Sequence, residues 1–336
     1  MPKVRCFLFF CLLLPLSDGG AENQVRVRAG FVGSIPQPFL ERLAQAQWPA
    51  GDGALGRNRK GYFHVRFQYR MHHLMDYAVH TGDQRYASAF FKALRYGFNQ
   101  QQAAGSFRFQ PPSGLSGQRP SAGDLASGAA FFLASAASGL RAFERESGRL
   151  ARGEADAAAL PGRLRAAADY LQRKQETLLT YDALAPNRLL IDALALISLA
   201  RLLADPELES SGHRSLSLAL AQQHCDGYFV EAGGFDSSYN GVALAVGYRL
   251  LLQNPELESL RVALEDSARW QLTRILPSGE ISTDGNARVH PGGEQFLGRE
   301  KEVDVSHVVE GLLLAFAESG DGRFLNAARQ IADFYL

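Results

Sequence analysis

Asp205-Pro206-Glu207-Leu208-Glu209-Ser210 recurs further along the chain as Asn254-Pro255-Glu256-Leu257-Glu258-Ser259, each time behind a Leu-rich run. Asp or Asn at a helix N-cap accepts a hydrogen bond from a free backbone N–H, and Pro at the first helical position has no N–H to leave unpaired. The pattern therefore predicts that one helix ends and another begins within these few residues. A second echo pairs Thr81-Gly82-Asp83-Gln84-Arg85-Tyr86 with Ser319-Gly320-Asp321-Gly322-Arg323-Phe324. Here Gly closes one helix in a left-handed turn and Asp opens the next. Each tight turn joins a helix rich in apolar or small residues to a more charged partner.

Outward from these turns, amphipathic periodicity punctuated by Gly, Pro, Asn and Asp predicts helices near 36–47, 61–80, 84–101, 122–145, 160–180, 187–204, 207–223, 239–253, 256–274, 304–318 and 322–335. Strand-like alternation is almost absent, so the class is all-α. The connections 102–121, 181–186, 224–238 and 275–303 are longer than the tight turns and carry most of the Gly, aromatic and polar residues. The connection 146–159 is long where a short one is expected. In a ring of helical hairpins, an (α/α) toroid, turns of one kind lie at one end, so the long connections converge and form a cleft. A single toroid domain is expected over residues 22–336.

Ahead of it, Lys3 and Arg5 precede an apolar run, Cys6 to Leu16, followed by Gly19, Gly20 and Ala21. That order reads as a signal peptide over residues 1–21 and implies a secreted or periplasmic protein. The run is short for a membrane span, and no later stretch is expected to span. Beyond the leader Cys225 stands alone, which rules out an intrachain disulfide and a multi-cysteine zinc site. It is expected to be packed as a small hydrophobe. The about 315 remaining residues suffice for a core without such staples. Lys and Arg together balance Asp and Glu, and no basic runs occur, which argues against nucleic acid as partner.

The stretch densest in chemistry is Cys225-Asp226-Gly227-Tyr228-Phe229-Val230-Glu231-Ala232-Gly233-Gly234-Phe235-Asp236-Ser237-Ser238-Tyr239-Asn240-Gly241. A serine cap would leave Tyr239 and Asn240 on the first turn of a helix at the cleft, while Asp236 could simply satisfy helix-end donors. Asp226-Gly227-Tyr228-Phe229-Val230-Glu231 followed by Tyr239 resembles the Asp-Gly-x-x-x-Glu … Tyr stretch in the toroid domains of heparinase- and alginate-type polysaccharide lyases. The Gly-Asp-x-Arg turns are similar to those of toroid lyases and glycosidases at large. The resemblance implies an (α/α) toroid acting on a polysaccharide, without a cofactor. The chain departs from the pattern in lacking the Asn-Asn-His motif, for which Asn187-Arg188 is the nearest candidate, and in lacking a β-rich second domain.

β-Elimination on a uronate needs a base for the C5 proton and a neutraliser for the charge growing on the carboxyl group. Tyr or His suits the first role; Asn, Arg or His suits the second. Candidate catalytic residues are accordingly Tyr239, His307, Arg288, Asn187 and Asp236. Candidate substrate-binding residues in the converging loops are Arg188, Glu231, Asn240, Asn286, His290, Glu294, Arg299, Lys301 and Asp304. A further stripe, Tyr62, Arg66, Tyr69 and His73, falls on one face of the helix predicted over 61–80 and could grip sugar rings or pack over neighbouring helices. His72 and His73, being adjacent, are expected to face different ways, and no metal site is expected. A hydrolase using two carboxylates, such as Asp236 with Glu294 or Asp304, is the second reading. A noncatalytic carbohydrate-binding protein or scaffold is the third.

Overall fold

The computed structural model describes residues 35–111, 119–145, 150, 154–296 and 299–335. Twelve α-helices occur among them: α1 (Gln37–Ala46), α2 (His72–Thr81), α3 (Gln84–Phe98), α4 (Ala122–Arg145), α5 (Glu154–Arg173), α6 (Gln175–Asp182), α7 (Pro186–Leu203), α8 (Pro206–Leu220), α9 (Ser237–Gln253), α10 (Glu258–Leu272), α11 (Val305–Ser319) and α12 (Gly322–Tyr335). A two-stranded antiparallel ribbon, β1 (Gln295–Phe296) with β2 (Arg299–Glu300), interrupts the connection before α11. The protein is all-α.

The helices sort into two kinds by burial. In α7 the run Leu189–Ala200 is buried without a break, and α9 and α11 are nearly as enclosed; apolar side chains cover the whole circumference of such helices. The more charged helices bury one stripe only: α10 covers Leu260, Ala263, Leu264, Ser267, Ala268 and Gln271 at helical spacing. The core helices pack in succession, α2 on α4, α4 on α7, α7 on α9 and α9 on α11. Sheath helices α3, α8, α10 and α12 pack on α2, α7, α9 and α11, while α5 and α6 lie against α4, and α1 covers α2. α4 is long and apolar enough to cross a membrane by composition, contrary to expectation, but it is a buried core helix.

The short turns follow the expected chemistry. Asp205 accepts from the N–H groups of Glu207 and Leu208, and Asp83 and Asp321 cap from turns closed by Gly82 and Gly320 at φ 75° and 72°. The echo at Asn254 differs. Asn254 is buried, its amide donates to Leu250 O, and α10 begins only at Glu258 with Leu257 at the cap position.

Other boundaries also moved. The helix predicted over 61–80 exists only from His72: two 3-10 turns, Gly56–Lys60 and Val65–Gln68, precede it, and Arg70 breaks the path at φ 70°. The helix predicted over 160–180 is two helices, α5 and α6, parted at Lys174. Because α5 starts at Glu154, the connection after α4 is shorter than expected. The leader over 1–21 lies outside the described residues.

Four of the sheath-to-core connections open on one and the same turn, which the sequence reading missed. In each, a backbone N–H reaches the carbonyl four residues on, and a glycine between them donates back: Ala50 to Ala54 with Gly53, Gln102 to Ser106 with Gly105, His224 to Tyr228 with Gly227, and Leu276 to Glu280 with Gly279. All four glycines have positive φ, and a Cβ there would stand 1.8–2.6 Å from a backbone carbonyl oxygen of the following sheath helix. The next residue but one is apolar and buried each time, as Leu55, Phe107, Phe229 and Ile281. Gln101 and Gln223 tie two of these turns to sheath carbonyls of Arg163 and Ala263.

Candidate active site

The N-terminal ends of the core helices carry three polar clusters. The first surrounds Tyr239, on the opening turn of α9. Asp236 sets that turn: one carboxylate oxygen accepts from the N–H groups of Ser238 and Tyr239, the other from those of Arg288 and Val289. Both oxygens of Asp236 are thus spent on backbone, and the side chain is fully buried. Asp236 thereby clamps two loops together through backbone N–H groups. Asn286 belongs to the same clamp, bonding Ser237 and Val289, and Asn240 is locked among Phe229, Ser267 and Gln271. Both of these side chains are buried.

Around the clamp the loop before α11 closes on Tyr239. Its hydroxyl donates to Glu294 at 3.2 Å and accepts from Lys301. Lys301 also reaches Glu294 at 2.8 Å. Arg288 lies 4.4 Å over the tyrosine ring and bridges Glu294, at 2.8 Å, to Glu231. Burial raises the Tyr239 pKa and the Glu294 charge adds to the rise, so the hydroxyl is held protonated. Burial pushes Glu294 the other way from its cations, but Arg288 and Lys301 prevail and bring its carboxyl down to about 2. Glu231 is raised by burial despite Arg288.

The second cluster opens α11. Asp304 caps the helix and stands 2.7 Å from His307 Nδ1; both His307 ring nitrogens are buried, and neither makes a hydrogen bond of acceptable geometry among the described residues. Burial works against the Asp304 charge, but His307 and Arg70 hold its pKa far below the usual range. The ring of Tyr69 stacks on His307 with centroids 6.0 Å apart, and Ser238 accepts from the Asp304 N–H, linking this cluster to the first. Beneath it lies a sealed ionic knot: Glu310 takes Arg70 at 2.9 Å, Arg249 at 3.1 Å and His73 at 3.2 Å, and Arg249 also holds Asp76 at 2.9 Å. This knot joins α2, α9 and α11.

His72 and His73 both turn into this knot, against expectation, with ring centroids 4.3 Å apart. The irregular backbone at Arg70, just ahead of the first turn of α2, is what a plain helix over 61–80 did not anticipate. Burial lowers the pKa of both imidazoles. His72, His73 and Asp76 could in principle converge on an ion, but Arg70 donates to His73 and Arg249 occupies Asp76, so guanidiniums already fill the place a cation would take.

The third cluster lies between α4 and α7. Asp124 gathers His64 at 3.2 Å, Arg66 at 3.0 Å and the Tyr181 hydroxyl at 3.3 Å; Arg188 bonds Asp182 at 3.1 Å and sits 5.5 Å over Tyr181. Asn187 is buried beside them with its side-chain oxygen unpartnered among the described residues. An open pocket of about 630 Å³ adjoins, lined by Gly123, Glu176, Thr177, Thr180 and Tyr181.

Most of the expected residues meet here, though not as one stripe. Tyr62 packs on Phe67 and Phe109, Arg66 on Phe131 and Asp124, Tyr69 on Phe131 and His307, and His73 in the knot. His290 contacts the Pro291 carbonyl, and Arg299 is exposed on β2; neither joins a cluster. Cys225 is exposed rather than packed, 3.8 Å from His224. Arg70, Asp76, Arg249, Glu310, His64, Asp124, Asp182 and Asp192 escaped the sequence reading; Asp192, Arg249 and Glu310 each stand alone in an apolar run. No family model matches the chain, and no curated protein does either.

Proposed function

We propose that the chain is an (α/α) toroid and an exported lyase that cleaves a uronate-containing polysaccharide by β-elimination. The succession α2, α4, α7, α9, α11, with α2 tied back to α11 through Arg70, His73 and Glu310, supports the toroid. The leader-like residues 1–21 support export.

The observation that carries the chemistry is the placing of an imidazole beside a carboxylate, His307 Nδ1 at 2.7 Å from Asp304, near a protonated hydroxyl, Tyr239, held between Lys301 and Glu294. In this reading the substrate displaces what covers the buried His307 Nε2, which then takes the C5 proton while Asp304, 2.7 Å from Nδ1, stabilises the imidazolium. Arg288 and Lys301, by exchanging a glutamate partner for the substrate carboxylate, neutralise the charge that develops there. The C4–O bond breaks as the C4–C5 double bond forms, and the Tyr239 hydroxyl gives its proton to the departing oxygen. Arg66, Arg188 and the exposed Tyr181 offer further contacts for neighbouring sugars.

A hydrolase reading draws on a different pair, Glu231 raised by burial and Glu294 held ionised, since environments that drive two carboxyl groups apart suit acid and base roles. Incubation with a panel of uronate polysaccharides separates the readings. Elimination creates a conjugated double bond with near-ultraviolet absorbance, and its appearance is the expected result. New reducing ends without that absorbance would replace the lyase by the hydrolase, and binding without either product would leave a carbohydrate-binding scaffold.

A further inference from the structure

Of the charged groups gathered at Tyr239, Glu294 is the one on which all the others' donors converge. Arg288 Nε reaches its carboxylate at 2.9 Å and a terminal nitrogen of the same guanidinium at 2.8 Å, Lys301 at 2.8 Å and the Tyr239 hydroxyl at 3.2 Å. The main chain at Glu294 is fixed separately: its N–H donates to Arg288 O and its carbonyl accepts from the Lys301 N–H, both at 2.9 Å. Gly293 permits this approach, since a Cβ there would stand 2.4 Å from Arg288 O. The Glu294 side chain is 29% exposed, so it can turn out to solvent while its backbone stays in place.

Charge defines what could stand in the glutamate's place. Glu231 also pairs with Arg288, but it is only 2% exposed and has no path to water, so it stays as a fixed partner. Two cations and one fixed carboxylate leave a single positive charge, which Glu294 neutralises. A guanidinium and an ammonium beside a hydroxyl suit the planar, two-oxygen shape of a carboxylate. A neutral sugar cannot replace the glutamate, because Arg288 and Lys301 would be left partly buried with one charge unmatched.

We propose that Arg288, Lys301 and Tyr239 form a site for one carboxylate group, that Glu294 fills this site in cis, and that an acidic sugar enters by turning Glu294 out. Glu294 is then a specificity-determining residue, a resident competitor that a carboxylate can displace and a neutral sugar cannot. The inference rests on the Tyr239 cluster as the place where the lyase reading puts the substrate carboxylate, but not on elimination taking place there. A tethered competitor acts at an effective concentration on the order of millimolar or above, and it weakens an untethered ligand accordingly.

The test is calorimetric titration of the full chain with sodium glucuronate and with glucose at constant ionic strength. The expected result is glucuronate binding roughly tenfold tighter or more in Glu294→Ala than in the unmodified protein, with no gain for glucose. Lys301→Met added to that variant should cancel the gain. Glu294→Gln, which keeps the side chain's volume but not its charge, carries the same test if Glu294→Ala does not fold. Glucuronate binding that is unchanged or weaker in the folded variants would make Glu294 a strut of its loop and overturn the proposal. An equal gain for glucose, or a gain that survives Lys301→Met, would do the same by showing a widened cleft or an anion held elsewhere. Elimination by the unmodified protein without the gain would sink this inference alone, whereas the gain without elimination would leave it standing and sink the lyase.

Discussion

The Glu310 knot and the Tyr239 cluster are built from the same materials, glutamates and arginines in alternation, yet they differ in access to water. Glu310, Arg249, His73 and Asp76 are buried to within a few per cent, whereas Arg288, Glu294 and Lys301 keep about a quarter of their side chains exposed. A sealed ion pair has no alternative partner, so its removal exposes the full desolvation cost of whatever remains. A half-open pair can trade a glutamate for a carboxylate arriving from solution. Burial, more than residue type, separates the charges that hold helices together from those available to a substrate.

Glu310→Ala tests the sealed side most severely. It leaves Arg70 and Arg249 buried without their shared carboxylate, and the expected loss of stability is about 3–5 kcal/mol by denaturant unfolding. A loss below about 1 kcal/mol would mean that water reaches the knot and would break the distinction. On the open side, Tyr239→Phe deletes one hydroxyl and keeps the ring under Arg288. The folded variant should lose roughly 10²–10⁴-fold in turnover of the uronate substrate while its unfolding midpoint stays near that of the parent. Near-normal turnover would remove Tyr239 from proton transfer.

Acid should weaken the sealed side in two steps. His72 and His73 have folded pKa values lowered by burial, so their contribution is present above the unfolded value of about 6.5 and is lost as pH falls below it, because the unfolded chain takes up protons the folded one refuses. For Glu310, burial opposes ionisation but His73, His72 and Arg70 hold its pKa well down, so its contribution is full above the unfolded value of about 4.3 and is lost further into acid. Stability flat from pH 7 to pH 5 would contradict the neutral imidazoles. By contrast, Glu294→Gln at the half-exposed cluster should change stability by no more than about 1 kcal/mol. Smallest of all, Cys225→Ala should move stability by under about 0.5 kcal/mol and leave turnover intact, since the thiol is exposed and outside all three clusters; a hundredfold loss of turnover would point to thiol chemistry.

Helix ends were legible wherever a local signal is complete within a few residues. Gly82 with Asp83, Gly320 with Asp321 and Asp205 with Pro206 terminate and start helices where expected. Asn254-Pro255 misled because a buried Asn bonding back to Leu250 looks the same in sequence as a cap. The stretch 61–71 misled for a related reason. Tyr62, Arg66, Tyr69 and His73 have helical spacing, but Phe63 pairs with Gln110 and Arg70 takes a left-handed backbone, both imposed from a distance. Within the site, the loop residues Arg288, Glu294 and Lys301 announced themselves beside Tyr239. The acidic members of the core helices, Asp192 and Glu310, did not, since a single carboxylate in a Leu-rich run declares neither its partner nor its role.

The four glycine turns carry a consequence for how this chain can vary. Each is held by main-chain hydrogen bonds and by the approach of a glycine to the main-chain carbonyl of the next sheath helix. Side chains add to this frame: Asp52, His224 and Ser278 each accept from a backbone N–H of their own turn, and Gln101 and Gln223 tie two turns to sheath carbonyls. Ala50-Gly51-Asp52-Gly53, Gln102-Ala103-Ala104-Gly105, His224-Cys225-Asp226-Gly227 and Leu276-Pro277-Ser278-Gly279 therefore share a shape while sharing one letter. A joint built mainly of backbone admits different letters: the four turns keep the same main-chain hydrogen bonds although their first three residues differ. Ancestry can fade from the letters long before it fades from the geometry.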